Sequence, residues 1–348
     1  MHKKKIAFLM NSKIFSGAES VVLTIYEHLK QEYDFVYVTQ EGPILEVLKE
    51  RKVPFFIINK MCKKEIERMI KELEPDCIHA IDFRASLVAA SVKKTPYILS
   101  HLHNNPLWLS KRYHPFSISY LWASKRCNKI AIVSDAIEKE YVYADKMKEK
   151  MVNVGNPIDR ATVLQQVEQT NQEKQYDVCF VGRLEEVKNP MEFIGIIKNL
   201  KQQGLENIKA VMVGEGSLKE KLQNHIQEEK LKDTIFLVGF QKNPYTYMKK
   251  SKVFCLPSRW EGFGLVAFEA LTLGIPCVVS NVGGLVHIVD ESCGALCNNQ
   301  EDFVLNIKKL LENQQDYEKV AQNAIAKSKK IENIQRYMSQ LDAIYKEI

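Results

Sequence analysis

The sequence predicts an α/β protein made of two doubly wound parallel-sheet halves that face a cleft. Three observations carry this expectation. The 348 residues are enough for two domains of ordinary size, each with its own core. Short β-rich runs alternate with amphipathic segments of helical length. The alternation pauses once, at a Gln-rich polar stretch from Gln165 to Gln175, and then restarts.

In the first half, Lys5 to Met10 holds five consecutive apolar residues and reads as a buried strand. Ala18 to Lys30 places apolar residues at helical spacing. Phe35 to Thr39 and Pro54 to Ile58 are rich in β-branched and aromatic residues and read as strands, followed by a helix from Lys63 to Leu73. Asp76 to Ile81, Tyr97 to His103 and Lys129 to Ser134 continue the strands. In the second half, strands are expected at Tyr176 to Val181, Ile208 to Val213, Thr234 to Phe240, Val253 to Leu256 and Pro276 to Ser280. Helices separate them at Met191 to Gln202, Ser217 to Lys230 and Gly264 to Leu273. Asn333 to Ile348 is an amphipathic helix with no strand after it, expected to pack back across the junction. In a doubly wound sheet, ligands sit at the carboxyl ends of the strands.

Several classes are set aside by composition and motif. A 45% hydrophobic and 26% charged chain with 15 Gly and 11 Pro is neither fibrous nor low in complexity. No apolar run approaches the roughly 18 to 20 residues of a membrane span, and the five apolar residues after the opening Met-His-Lys-Lys-Lys are too few for a secretory leader. Neither Gly-x-Gly-x-x-Gly nor a Walker loop follows a first strand, so dinucleotide and P-loop chemistry lose their support. Eight scattered cysteines, three of them inside strand-like runs (Cys179, Cys255, Cys277), read as reduced core thiols of a cytoplasmic protein. No metal site and no cofactor are expected.

The charge is uneven. Residues 1–160 carry 26 Lys/Arg against 19 Asp/Glu, whereas 161–348 carry 23 against 24, so the net +6 belongs to the first half. Lys93 to Lys129 holds seven Lys/Arg and no carboxylate, interleaved with Tyr97, Trp108, Tyr113, Phe116, Tyr120 and Trp122. Such a segment suits an anionic membrane surface, or a solvated basic face with aromatics packed beneath it; nucleic acid is not expected as the partner.

The segment richest in chemistry runs from Pro257 to Glu269. Gly262, Phe263, Gly264 and Leu265 lie at the start of a helix, where unpaired backbone N–H groups can cradle phosphate and the glycines permit close approach. Glu261 precedes that helix and Glu269 lies about two turns inside it. Two hydroxyl acceptors flanking a phosphate site suit a nucleotide sugar; the plain alternative is an acidic helix cap and a surface residue. Gly182, Arg183 and Lys188 follow the first strand of the same half, where a guanidinium fork and an ammonium would neutralise a leaving diphosphate.

These residues resemble the retaining glycosyltransferases of family 4, which have the two-domain GT-B fold, and the resemblance spans nearly the whole chain. Gly182-Arg183-Leu184 with Lys188 is similar to the family's diphosphate motif, and Glu261-x7-Glu269 to its paired-glutamate signature. Gly214 within Val213-Gly214-Glu215-Gly216, Phe240 after Gly239, Leu256-Pro257-Ser258 and Gly283-Gly284 follow in family order. Phe15-Ser16-Gly17 resembles the glycine loop before the first helix, with Ser16 in place of a frequent second glycine. His103 is aligned with the family's histidine at a strand end, with His101 as the other candidate. His287 stands where the family often has Glu.

The resemblance implies residues 1–165 as an acceptor-binding domain, 166–330 as a nucleotide-sugar domain and 331–348 as a helix returning to the first. It further implies retaining transfer of a sugar from a nucleoside-diphosphate donor, commonly UDP, to a saccharide or polyprenyl-linked acceptor in bacterial surface polysaccharide assembly, peripheral to the inner face of the membrane. Arg183, Lys188, Glu261 and His103 would be the catalytic group. Absence of any Asp-x-Asp predicts metal independence. A nucleotide-sugar epimerase of the same fold and a non-catalytic binding subunit are the competing readings.

Overall fold

The computed structural model describes residues 3–14, 17–103, 106, 108–168 and 173–348. Phe15, Ser16 and Asn104, together with 169–172 of the Gln-rich stretch, lie outside the described residues. The chain divides into two units, 1–157 with 333–348, and 158–332.

The first unit is a seven-stranded sheet. Its strands are β1 (Lys5–Leu9), β2 (Asp34–Thr39), β3 (Phe55–Ile57), β4 (Cys77–Ile81), β5 (Tyr97–Leu102), β6 (Lys129–Ile132) and β7 (Met151–Asn153). Their spatial order is β3-β2-β1-β4-β5-β6-β7, with every pairing parallel. The central strands are buried on both faces, as their continuous apolar runs require. The order reverses between β1 and β4, so the switch point of this unit lies at the carboxyl ends of those strands. The final helix, Ile334–Lys346, belongs to this unit and buries Tyr337, Met338, Leu341, Ile344 and Tyr345, one stripe at helical spacing.

The second unit is a six-stranded parallel sheet of β8 (Tyr176–Val181), β9 (Ala210–Val213), β10 (Ile235–Gly239), β11 (Ser251–Leu256), β12 (Cys277–Ser280) and β13 (Gly294–Cys297). Their order is β10-β9-β8-β11-β12-β13. Here the switch point lies between β8 and β11, the two strands whose ends carry the Arg183 and Glu261 segments. Cys179, Cys255 and Cys277 are fully buried in these strands, and burial pushes their thiols up.

Two features depart from expectation. The units part after Pro157 rather than after residue 165, because Ile158, Val163 and Val167 pack into the second unit's core and the helix Arg160–Gln165 goes with them. The edge strands β7 and β13 are absent from the sequence reading: Met-Val-Asn ends on a polar residue, and Gly-Ala-Leu-Cys opens on glycine with no β-branched or aromatic residue.

Candidate functional site

The site in the second unit is assembled at the carboxyl ends of β8, β9, β10 and β11. Immediately after β8, Gly182 donates its N–H to the Val213 carbonyl at 3.0 Å, and Gly214 donates to the Gly239 carbonyl at 2.9 Å, which lays three strand ends side by side. A Cβ on Gly214 would overlap the Gly182 carbonyl oxygen, so this approach requires glycine there. Leu184 is fully buried and its N–H bonds the Glu215 carbonyl at 2.9 Å. That anchor leaves Arg183 exposed on one side, two residues beyond the strand. A single 3₁₀ turn, Glu186–Lys188, then turns the Lys188 side chain inward.

Lys188 Nζ forms an ion pair with Glu261 Oε1, with the two side chains only 16% and 8% exposed. Ser258 Oγ lies 3.5 Å from the same carboxylate oxygen. Glu261 does not cap the following helix. That helix, Leu265–Thr272, is entered through Gly264 at φ 91°, a conformation that favours glycine, and no side chain caps it. Ala267 N–H bonds the Gly264 carbonyl at 2.9 Å, and the N–H groups of Leu265 and Val266 before it, which have no carbonyl within the helix to bond, are left for a ligand anion. Gly262 is exposed, Phe263 is half-buried and Leu265 half-buried at this entry.

Glu269 is held apart from the Lys188 pair. Tyr245 donates its O–H to Glu269 Oε1 at 3.0 Å, and burial pushes the Glu269 carboxyl up to about 7 against that hydrogen bond. A protein hydroxyl thus occupies one oxygen of the group read as a hydroxyl acceptor. Ser258 stands in a Ser-x-x-Glu spacing with Glu261 that could have marked it as a partner, whereas Tyr245, 24 residues from Glu269, carries no such signal. Phe240 follows β10, is 46% exposed, and has its N–H 3.4 Å from Glu215 Oε1. His287 is exposed.

In the first unit, Gly17 opens the helix Gly17–Leu29, is exposed, and a Cβ there would meet nothing within 4 Å. His103 lies just past β5; its backbone N–H bonds Asp82 Oδ1 at 2.8 Å, and the Asn156 side chain bonds its ring. Its Nε2 is buried and has no partner among the described residues. Burial lowers the imidazole to about 4, so it is neutral at pH 7. His101 is fully buried inside β5, its imidazole held well below the ordinary range by burial. The basic segment splits: Tyr120 is fully buried, while Tyr113, Phe116, Ile118 and Trp122 are 84%, 58%, 46% and 48% exposed, on and beside the helix Pro115–Ser124. No helix among the described residues is long and apolar enough to cross a membrane.

Two family models match consecutive parts of the chain: "Glycosyltransferase Family 4" over residues 15–162 and "Glycosyl transferases group 1" over 164–327. An Escherichia coli UDP-Gal:α-D-GlcNAc-diphosphoundecaprenol α-1,3-galactosyltransferase is 26% identical, with 88% of this chain and 90% of that protein covered. A Campylobacter jejuni α-1,4-N-acetyl-D-galactosaminyltransferase acting on a diphosphoundecaprenol-linked saccharide is 24% identical, with 88% of each covered. Among solved structures, the Anabaena protein HepE in complex with UDP and glucose superposes with a TM-score of 0.81 at 18% identity, over 99% of this chain and 100% of that one.

Proposed function

We propose that this chain, which belongs to the two-domain GT-B glycosyltransferases, transfers a hexosyl or hexosaminyl group from a nucleoside-diphosphate sugar, UDP-linked, to a hydroxyl of a lipid-linked saccharide, with retention and without a metal ion. The observation that carries the reading is the Lys188–Glu261 pair at the β8/β11 switch point, beside the uncapped helix start at Leu265. The relatives that act on diphosphoundecaprenol-linked saccharides support the acceptor class.

The donor's diphosphate oxygens would be met by the N–H groups at Gly264 and Leu265, by Arg183 and by Lys188, so that fixed cations take the charge that builds on the leaving group. Lys188 would then bridge diphosphate and Glu261, leaving the glutamate free to accept from a sugar hydroxyl. Glu269 would accept from the ribose. His103, neutral and with an unpaired ring nitrogen, is suited to hydrogen-bond the transferred sugar. The front-side attack that retention requires would draw on this positioning.

Ile118 and Trp122, four residues apart, present one exposed apolar face of the helix Pro115–Ser124, with Phe116 exposed in its first turn and Lys111, Arg112, Lys125 and Arg126 flanking the helix in sequence. We propose that this face lies on the anionic inner leaflet, where the lipid-linked acceptor resides. Phe116→Ser with Trp122→Ser should abolish flotation with anionic vesicles; unchanged flotation would refute the attachment.

The activity is tested by nucleoside-diphosphate release across UDP-, GDP- and ADP-sugars, with chelator present and a membrane lipid extract as acceptor. Acceptor-dependent release from one UDP-sugar, lost in Arg183→Ala and in Glu261→Ala, is the expected result. Conversion of the donor into an epimeric nucleotide sugar without acceptor would favour an epimerase, and binding with neither conversion nor release a non-catalytic subunit.

A further inference from the structure

The first unit contains a row of polar rings that the reaction as described above does not use. Tyr345, near the end of the chain, sits fully buried with its hydroxyl 2.7 Å from His79 Nδ1. His79 Nε2 lies 3.0 Å from His101 Nδ1, and the two imidazoles stack with centroids 5.1 Å apart at 13°. The His103 ring leans on His101, centroids 4.2 Å apart at 38°. His79 and His101 are fully buried, on β4 and β5 respectively. The row thus runs from the last helix, across two central strands, to the strand end that carries His103.

Burial keeps both imidazoles neutral, so each ring has one N–H and one lone pair. Only two proton orders satisfy both internal contacts. In one, Tyr345 O–H donates to His79 Nδ1 and His79 Nε2–H donates to His101 Nδ1; the single group left unmet among the described residues is the His101 Nε2–H. In the other, every donor is reversed, and both the Tyr345 hydroxyl hydrogen and the His101 Nε2 lone pair go unmet. The first order leaves fewer buried groups unsatisfied and is therefore the stable one. It is set at the tyrosine end, because a hydroxyl can rotate to donate whereas a ring cannot.

We propose that Tyr345, His79 and His101 form a proton-ordered file that locks the plane of His101, and through it the ring of His103, so that the chain's last helix positions the site histidine. Tyr345, His79 and His101 are positioning residues in this scheme, which rests on the reading of His103 as a sugar-binding group. The packing fits the role: Tyr33 and Phe35 flank the Tyr345 ring at 5.1 and 6.1 Å, and Tyr33 O–H bonds Asp342 on the same helix at 2.7 Å.

The test compares Tyr345→Phe with Tyr337→Phe. Tyr337 lies on the same helix, is also fully buried, and its hydroxyl has no partner among the described residues. Both changes remove one oxygen at nearly constant volume, but only the first breaks the file. With 15N-labelled histidine, the wild-type protein should show His79 and His101 as neutral Nε2–H tautomers from pH 5.5 to 8. Tyr345→Phe should convert His79 to a mixture and lower kcat five- to tenfold with the donor KM within twofold, while Tyr337→Phe changes neither. An Nδ1–H tautomer at either ring in the wild type overturns the proposal, as does a Tyr345→Phe kcat no lower than that of Tyr337→Phe. Wild-type protein that shows the expected tautomers but transfers no sugar upholds the proton order and overturns the reading of the reaction.

Discussion

Donor binding should tighten with pH because of one side chain. Burial raises the Glu269 carboxyl to about 7, so at pH 6 the group is mostly protonated and its O–H is a donor rather than an acceptor. A ribose hydroxyl donating to Glu269 favours the ionised form, and binding must therefore expel a proton wherever the free protein still carries one. For a group titrating near 7, the ionised fraction rises about tenfold between pH 6 and pH 8, which corresponds to about 1.4 kcal/mol of binding free energy. The assay is calorimetry with a UDP-sugar, whose diphosphate diester does not titrate in this range, in two buffers of different ionisation enthalpy. The expected result is about tenfold tighter binding at pH 8 than at pH 6, with net proton release near pH 6.5 and neither effect in Glu269→Gln. Equal affinity across that range in the wild type, or the same slope in the glutamine variant, would refute the assignment of Glu269 to the donor.

The same carboxyl destabilises the fold when ionised. Its folded value is raised, so its contribution is fully present below about 4.5 and is lost as pH rises through about 7; denaturant titrations should show wild type falling against Glu269→Gln by about 2 to 3 kcal/mol between pH 5 and pH 8. Tyr245→Phe removes the hydrogen bond that holds this value down, and the midpoint of the binding profile should move to higher pH, as read in the same calorimetry. Lys188→Ala strands the buried Glu261 carboxylate and should cost about 3 kcal/mol in chemical denaturation, most of it recovered when Glu261→Gln is added. Gly214→Ala drives a methyl into the Gly182 carbonyl and should cost about 2 kcal/mol or more, measured as a lowered Tm.

Most of the strands that the sequence reveals are central ones buried on both faces, and the edge strands β3 and β10 are readable from their β-branched and aromatic residues. Tyr176–Val181 and Cys277–Ser280 announce themselves as apolar, β-branched runs, because a central parallel strand has no solvent face to mark with polar residues. The edge strands β7 and β13 lack that signal: Met-Val-Asn ends on a polar residue, and Gly-Ala-Leu-Cys opens on glycine and holds no β-branched or aromatic residue. In the site, the Arg183 and Glu261 segments are readable one at a time, and the parallel topology explains why they meet: β8 and β11 are neighbours in space although 73 residues separate Lys188 from Glu261. Partners fixed only by tertiary packing are not readable. Tyr345 reaches His79 across 266 residues of sequence, and the one local hint is a histidine inside the otherwise apolar strand Cys-Ile-His-Ala-Ile. Tyr245 meets Glu269 because the short helix Tyr245–Lys249 packs beside the helix Leu265–Thr272, a juxtaposition with no local signature.

The central claim is that the second unit's β8/β11 switch point holds the donor diphosphate, and a crystal structure of the protein with UDP tests it most directly. Phosphate oxygens are expected within hydrogen-bond distance of Arg183, Lys188 and the backbone N–H groups at Gly264 and Leu265, with the ribose hydroxyls on Glu269. UDP bound elsewhere, with the Lys188–Glu261 pair unaltered and Arg183 still in solvent, would contradict it.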